Sequence, residues 1–226
     1  MRRRCIPAAL PTTSSLTWII LGCSLVAAPA LEATVTFVDV AYEAGVNFRY
    51  THGGTGQKFF IETMGPGCAF LDYDGDGELD IYAVNGHTLK PGAEVVETNR
   101  LFRNKGDGTF TDVSVAAAAD DRGYGVGVTA ADYDNDGDTD VFISNYGANV
   151  LYSNSADGRF RDHTIAAGVG DQRWGTGCTF LDIDNDGLLD LYVANYLDYT
   201  LDEPGKDLTP YVVAAGDTLR MDLRAY

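Results

Sequence analysis

The chain has 226 residues, 33 of them acidic and 16 basic, giving a formal net charge of −17. Such a balance repels a phosphate backbone, so nucleic acid is excluded as a partner. Fourteen of the acids fall in three short segments, so much of the charge sits where it can await cations.

In chain order, the first thirty residues read as a processing segment. Arg2-Arg3-Arg4 is a basic start, Leu16–Ala27 is apolar, and Ala28-Pro29-Ala30 fits a small-residue cleavage site. Residues 1–30 are therefore predicted to be a signal peptide. The apolar run is shorter than the ~20 residues of a spanning helix, so no membrane span is expected after its removal. The expected location is secreted, periplasmic or at the cell surface. Residues 31–65 are predicted to hold an N-terminal outer strand and a connection. The strand is Thr36-Phe37-Val38-Asp39-Val40, which repeats the pattern of Thr109-Phe110-Thr111-Asp112-Val113.

Next come three copies of one acidic loop. They are Asp72 to Asp80, Asp132 to Asp140 and Asp182 to Asp190. Position 1 is Asp72, Asp132 or Asp182; position 3 is Asp74, Asp134 or Asp184; position 5 is Asp76, Asp136 or Asp186. Position 9 is Asp80, Asp140 or Asp190. Short carboxylates at alternate positions of a curled loop can converge on one hard cation, and this spacing is the oxygen-ligand pattern of Ca²⁺. Gly77, Gly137 and Gly187 at position 6 permit the positive φ of a sharp turn. Position 7 varies (Glu78, Asp138, Leu188), as expected where only the backbone carbonyl binds. Without a cation the loop repels itself, because two like charges about 4 Å apart cost roughly 4 kcal/mol at an effective dielectric of about 20.

An EF-hand is excluded. Its loop needs a bidentate Glu at position 12, where this chain has Ala83, Ile143 and Val193. The flanks are short apolar and β-branched runs such as Cys68–Leu71 and Val141–Ser144, which read as strands. Each loop is thus predicted to join two strands of a hairpin.

The repeat extends beyond the loops. Asn99, Leu101, Asn104, Asp107, Gly108, Phe110 and Asp112 recur 50 residues later as Asn149, Leu151, Asn154, Asp157, Gly158, Phe160 and Asp162. A period of that size with several strands per unit predicts an all-β, propeller-type array of four-stranded blades. The first strand is the run before the loop (Tyr124–Ala131, Trp174–Leu181) and the second follows the loop. The third is Leu101–Asn104 or Leu151–Asn154, and the fourth, after an Asp-Gly turn, is Thr109–Val113 or Arg159–His163. Val115–Ala119 and Ile165–Ala167 are predicted as single helical turns. Residues 66–198 hold about three blades, and 199–226 read as the divergent start of a further blade or a truncated tail. Propellers have about 4–8 blades, so the expectation is an incomplete, truncated propeller.

The segments Gly67–Gly77 and Leu101–Val113 closely resemble FG-GAP/VCBS repeats, in the flavour of the cartilage acidic protein (ASPIC/UnbV) family. The resemblance implies a β-propeller similar to the integrin α head, with calcium between the first two strands of each blade.

No catalytic arrangement is legible. His52, His87 and His163 are scattered, and Gly123-x-Gly125-x-Gly127 lacks both the spacing and the following helix of a dinucleotide loop. Tyr124 and Trp174, at equivalent positions, are read as packing. Cys68 and Cys178 are also equivalent and are read as small apolar residues on inner strands. The connection Gly86–Thr98, with His87, Lys90 and Glu94, is the best candidate for a specific contact. The expected function is a calcium-stabilised binding, adhesion or scaffold module for an extracellular protein or glycan, not an enzyme. The alternative is the non-catalytic propeller portion of a larger secreted enzyme.

Overall fold

An apolar run, an acidic loop and a second apolar run can satisfy their backbone groups by folding back as a hairpin. Each of the three loops does so in the computed structural model, which describes residues 36–155, 157–196, 201 and 224–225. The predicted signal peptide and most of 199–226 lie outside the described residues. Blade 1 is a four-stranded antiparallel sheet of β1 (Cys68–Leu71), β2 (Asp80–Ala83), β3 (Arg100–Asn104) and β4 (Phe110–Asp112), in that order. Blade 2 repeats it with β5 (Tyr124–Ala131), β6 (Asp140–Tyr146), β7 (Val150–Ser153) and β8 (Arg161–Asp162). A four-residue helix α1 (Thr164–Ala167) follows. Blade 3 holds β9 (Gly175–Leu181) and β10 (Asp190–Asn195), with β11 (Arg224–Ala225) on the far edge of β10. The fold is all-β and fits a partial propeller. All three acidic loops join a first and a second strand, with no helix on either flank.

Blades pack through alternate residues, as the period of two requires. Val141 and Ile143 of β6 face blade 1, meeting Leu71, Tyr82, Val84 and Leu101. Phe142, between them, joins Leu151 against Leu191 and Val193 of blade 3. The central strand is therefore apolar on both faces. The Gly-x-Gly run is explained by close approach: a Cβ on Gly125 would stand 2.2 Å from Val84 Cγ1, and one on Gly127 2.2 Å from the Thr176 carbonyl oxygen. A third cluster, Phe59, Ile61, Leu89, Tyr124, Val126 and Trp174, gathers where the inner strands begin, at the opposite end from the loops.

Several expectations need correcting. The chain separates into Met1–Val38 and Asp39–Tyr226. No strand forms over Thr36–Val40, because a strand exists only by pairing and these residues have no ladder partner among the described ones. The equivalence survives in the next turn, where Phe110 N–H donates to Ala44 O (2.7 Å) as Phe160 N–H does to Ala117 O (2.8 Å). Val115–Ala119 is a hydrogen-bonded turn rather than helix, since Ala118 takes φ of +54°. Trp174 precedes β9 and pairs with Tyr146 through an isolated bridge. The Gly86–Thr98 connection is partly core. Leu89 is buried, its N–H donates to Gly53 O (3.1 Å), and the His87 ring lies edge-on to Tyr124 at 5.5 Å. Lys90 and Glu94 are exposed. Cys68 and Cys178 are both free thiols.

Blade 3 is tied at its start by Asp171. Its carboxylate accepts from Arg173 Nη2 (2.6 Å), Arg173 N–H (3.1 Å) and Asn195 Nδ2 (3.0 Å). These contacts, the Arg173 side-chain bond foremost, hold the Asp171 carboxyl down at about 2. A depressed carboxyl stabilises the fold above its unfolded value near 4, and that contribution is lost as pH falls toward 2. Because Arg173 is partly exposed, solvent screening leaves roughly 1–2 kcal/mol. In urea unfolding at pH 7, Asp171→Asn is expected to be less stable than the parent by that amount, with the two converging by pH 2. Equal stability at pH 7 would remove the assigned role.

Candidate metal centres

The three loops are built alike. Position 4, Gly75, Asn135 or Asn185, has φ of 71°, 59° or 60°, and position 6, Gly77, Gly137 or Gly187, has φ of 85°, 96° or 88°. Nothing would touch a Cβ at the position 6 glycines, so conformation rather than space selects glycine there. Two left-handed residues curl the loop and turn its amides inward. The position 1 carboxylate accepts from the amides of positions 5 and 6: Asp76 N–H (3.1 Å) and Gly77 N–H (2.9 Å) on Asp72, with the same pair on Asp132 (3.0 and 3.0 Å) and Asp182 (3.1 and 3.0 Å). Position 5 accepts from position 7, at 2.9 Å in loops 1 and 2 and 2.8 Å in loop 3.

Position 9 closes each loop from inside the sheet. Asp80 and Asp140 are fully buried at the start of the second strand. Asp80 accepts from Tyr73 N–H (3.0 Å) and Asn104 N–H (2.7 Å), and Asp140 from Tyr133 N–H (3.0 Å) and Asn154 N–H (2.8 Å). Burial pushes the Asp140 carboxyl up to about 6 against those two bonds, and it raises Asp80 as well. Burial also raises Asp134, followed by the neighbouring Asp136 charge. In loop 3 Asp190 accepts from Ile183 N–H (3.0 Å) and is only partly buried.

One oxygen from each of Asp72, Asp74 and Asp80 lies within 4.8 Å of the others. The same holds for Asp132, Asp134 and Asp136, and for Asp182, Asp184 and Asp190. Asp76, Asp140 and Asp186 stand outside the tight group of their own loop, their oxygens engaged with backbone amides. The side chains of Glu78, Asp138 and Leu188 join no group, in keeping with a carbonyl role for position 7.

The donor set fits a hard divalent cation. It is all oxygen, it is pre-curled, and Asp74 Oδ1 is buried with no hydrogen-bond partner among the described residues. In loop 1 the other side of that carboxylate is taken by a protein cation, with Arg103 Nε 2.6 Å from Asp74 Oδ2 and Nη2 3.3 Å from Asp76 Oδ2. Blade 2 has Ser153 at the equivalent place.

The sequence reading missed Asn104 and Asn154, whose amides brace position 9 and whose side chains accept or donate around the loop. Asn154 Nδ2 donates to Thr139 O (3.2 Å) and, across the blade boundary, to Tyr73 O (2.7 Å). Their recurrence 50 residues apart was the available signal. Arg103 carried no such signal, because its counterpart is a serine.

The family model for an FG-GAP-like repeat matches residues 72–143 and again 132–193. Each match begins at position 1 of a loop and ends in the second strand that follows the next loop. No curated protein matches the chain.

Proposed function

We propose that this chain, which belongs to the FG-GAP-like repeat family, is a secreted calcium-binding module that holds an extracellular protein or glycan, with calcium stabilising its blades. The observation that carries the metal assignment is the threefold recurrence of carboxylate oxygens within 4.8 Å at the same place in successive blades. Asp72, Asp74, Asp76 and Asp80 would hold one ion; Asp132, Asp134, Asp136 and Asp140 a second; Asp182, Asp184, Asp186 and Asp190 a third. The position 7 carbonyls of Glu78, Asp138 and Leu188 complete each set. The ion supplies charge neutralisation, and the residues supply curvature and a fixed frame.

Calorimetric titration of calcium into the folded protein tests this reading. About three sites are expected, and Asp184→Ala should remove one of them. A folded sample that takes up no calcium would end the proposal.

Loop 1 carries its own counter-charge in Arg103, which an entering ion must displace. Arg103→Ser, which copies Ser153 of blade 2, is expected to tighten calcium binding at loop 1 several-fold, since a nearby exposed charge is worth roughly 0.2–1 kcal/mol. An unchanged or weaker affinity would mean that the guanidinium swings clear at no cost.

A further inference from the structure

A cavity lies beside blade 1, at the end where the inner strands begin and away from the metal loops. Tyr124, the first residue of β5, holds its floor by donating from Oη to His52 O (2.9 Å). The cavity measures about 460 Å³, within the roughly 300–1,000 Å³ of small-ligand sites. One wall is the strap of residues 49–54, and the other is the 86–98 connection, which supplies Thr88 and Glu97. The two walls are tied to each other through Asn85. Thr51 N–H donates to Asn85 Oδ1 (2.8 Å), and Asn85 Nδ2 donates to Thr98 O (3.4 Å), next to Glu97. Leu89 N–H, next to Thr88, donates to Gly53 O (3.1 Å). Gly53 has φ of 67°, and a Cβ there would collide with the His87 carbonyl, so only glycine lets the strap lie this close.

The lining is polar and holds two opposite charges that do not meet. Arg49 is exposed, and its guanidinium has no ion-pair or hydrogen-bond partner among the described residues. Glu97 is half-buried, and its Oε2 is closed off from solvent with no hydrogen-bond partner among the described residues. Leaving a buried carboxylate oxygen unbonded is costly, and native folds keep few such groups. An ammonium supplies the donor that a carboxylate lacks, and a carboxylate is the acceptor that fits the fork of a free guanidinium. The rest of the lining, with the Thr51 and Thr88 hydroxyls and the His52 ring, suits a polar body. We propose that this cavity binds a small polar zwitterion, with its ammonium on Glu97 and its carboxylate on Arg49. An amino acid and a short peptide with both ends free share that chemistry. The site is separate from the calcium loops and does not depend on them.

Titration followed by nuclear magnetic resonance, on the full chain, tests this with L-glutamine and glycyl-L-glutamine as probes. At least one of them should bind, and the tighter of the two identifies the source, free amino acid or peptide. N-acetyl-L-glutamine lacks the ammonium and L-glutaminamide lacks the carboxylate. Each should bind about tenfold more weakly than the better zwitterion, the loss of one charge-assisted hydrogen bond. The variants then assign the ends. Glu97→Gln should weaken L-glutaminamide about tenfold and leave N-acetyl-L-glutamine unchanged, and Arg49→Gln should do the reverse. Failure of both zwitterions to bind the folded parent overturns the proposal, and so does equal binding of the blocked probes. A variant that weakens both blocked probes alike has changed the shape of the cavity, which overturns the assigned charge pairing. The comparison of probes on the parent protein remains decisive where a variant does not fold.

Discussion

Calcium at about 1 mM is expected to raise the melting temperature of the folded protein by about 10 °C over a chelated sample. Extracellular calcium modules have dissociation constants of about 10⁻⁴–10⁻³ M. With a constant of ~0.1 mM, linkage at ~1 mM calcium contributes RT ln 11, about 1.4 kcal/mol per site, and three sites contribute roughly 4 kcal/mol. For a domain of about 150–250 residues, 1 kcal/mol moves the midpoint by about 2–4 °C. The sign follows from the loops. In their metal-free form they hold three or more carboxylates close together, with Asp80 and Asp140 fully buried. A cation converts that repulsion into attraction only in the folded state, where the oxygens converge. Differential scanning calorimetry with calcium and with chelator makes the measurement. A melting curve indifferent to chelator, in a sample that loses partner binding, would assign calcium to recognition instead of stability.

Trp174→Ala is expected to cost about 3–5 kcal/mol, the range for truncating a buried large aromatic residue. Trp174 is 2% exposed and makes edge-on contacts with Phe60 (5.9 Å), Tyr146 (5.6 Å) and Tyr196 (5.4 Å). Each such pair is worth about 0.5–1.5 kcal/mol beyond the area it buries. The residue also bridges blade 2 to the start of blade 3. The metal loops lie at the far end of the inner strands, and an eight-residue strand such as β5 spans roughly 26 Å at about 3.3 Å per residue. Urea unfolding should therefore show the loss while calcium affinity of the folded variant stays at the parent value. A loss below about 1 kcal/mol would mean that the aromatic cluster relaxes around the cavity.

Both results rest on features of different legibility. The loops were readable because their chemistry is local: nine consecutive residues carry the ligands and the turn glycine, and short apolar runs stand on either side. The 50-residue recurrence likewise gave the four-strand blade, and β5 falls on the predicted residues. Phe59 and Ile61 were not readable as core. Ile61 sits in a 3-10 turn, Phe60–Thr63, with Phe59 as its N-cap, within a stretch that has neither period, and distant partners fix their place. Thr51 N–H donates to Asn85 Oδ1 (2.8 Å), and Tyr124 Oη donates to His52 O (2.9 Å) across 72 residues. Leu89 in the Gly86–Thr98 connection was hidden as core for the same reason, since its cluster draws on three other segments, Phe59–Ile61, Tyr124–Val126 and Trp174. Position 4 of the loops was legible in principle, as Gly, Asn and Asn are the residues that accept a left-handed φ.

The side chain of Asn154 reaches from the second loop to Tyr73 O in the first, and Asn135 Nδ2 reaches from the second loop to Gly187 O in the third (3.4 Å). Stability in a stacked array is roughly a sum of terms intrinsic to each repeat and terms at each boundary. These two amides add to the boundary term at the same rim where a bound ion would add to the intrinsic one. Blade 2 is packed on both faces by its neighbours, so its strands are expected to be among the last to exchange their amide hydrogens, with calcium or without.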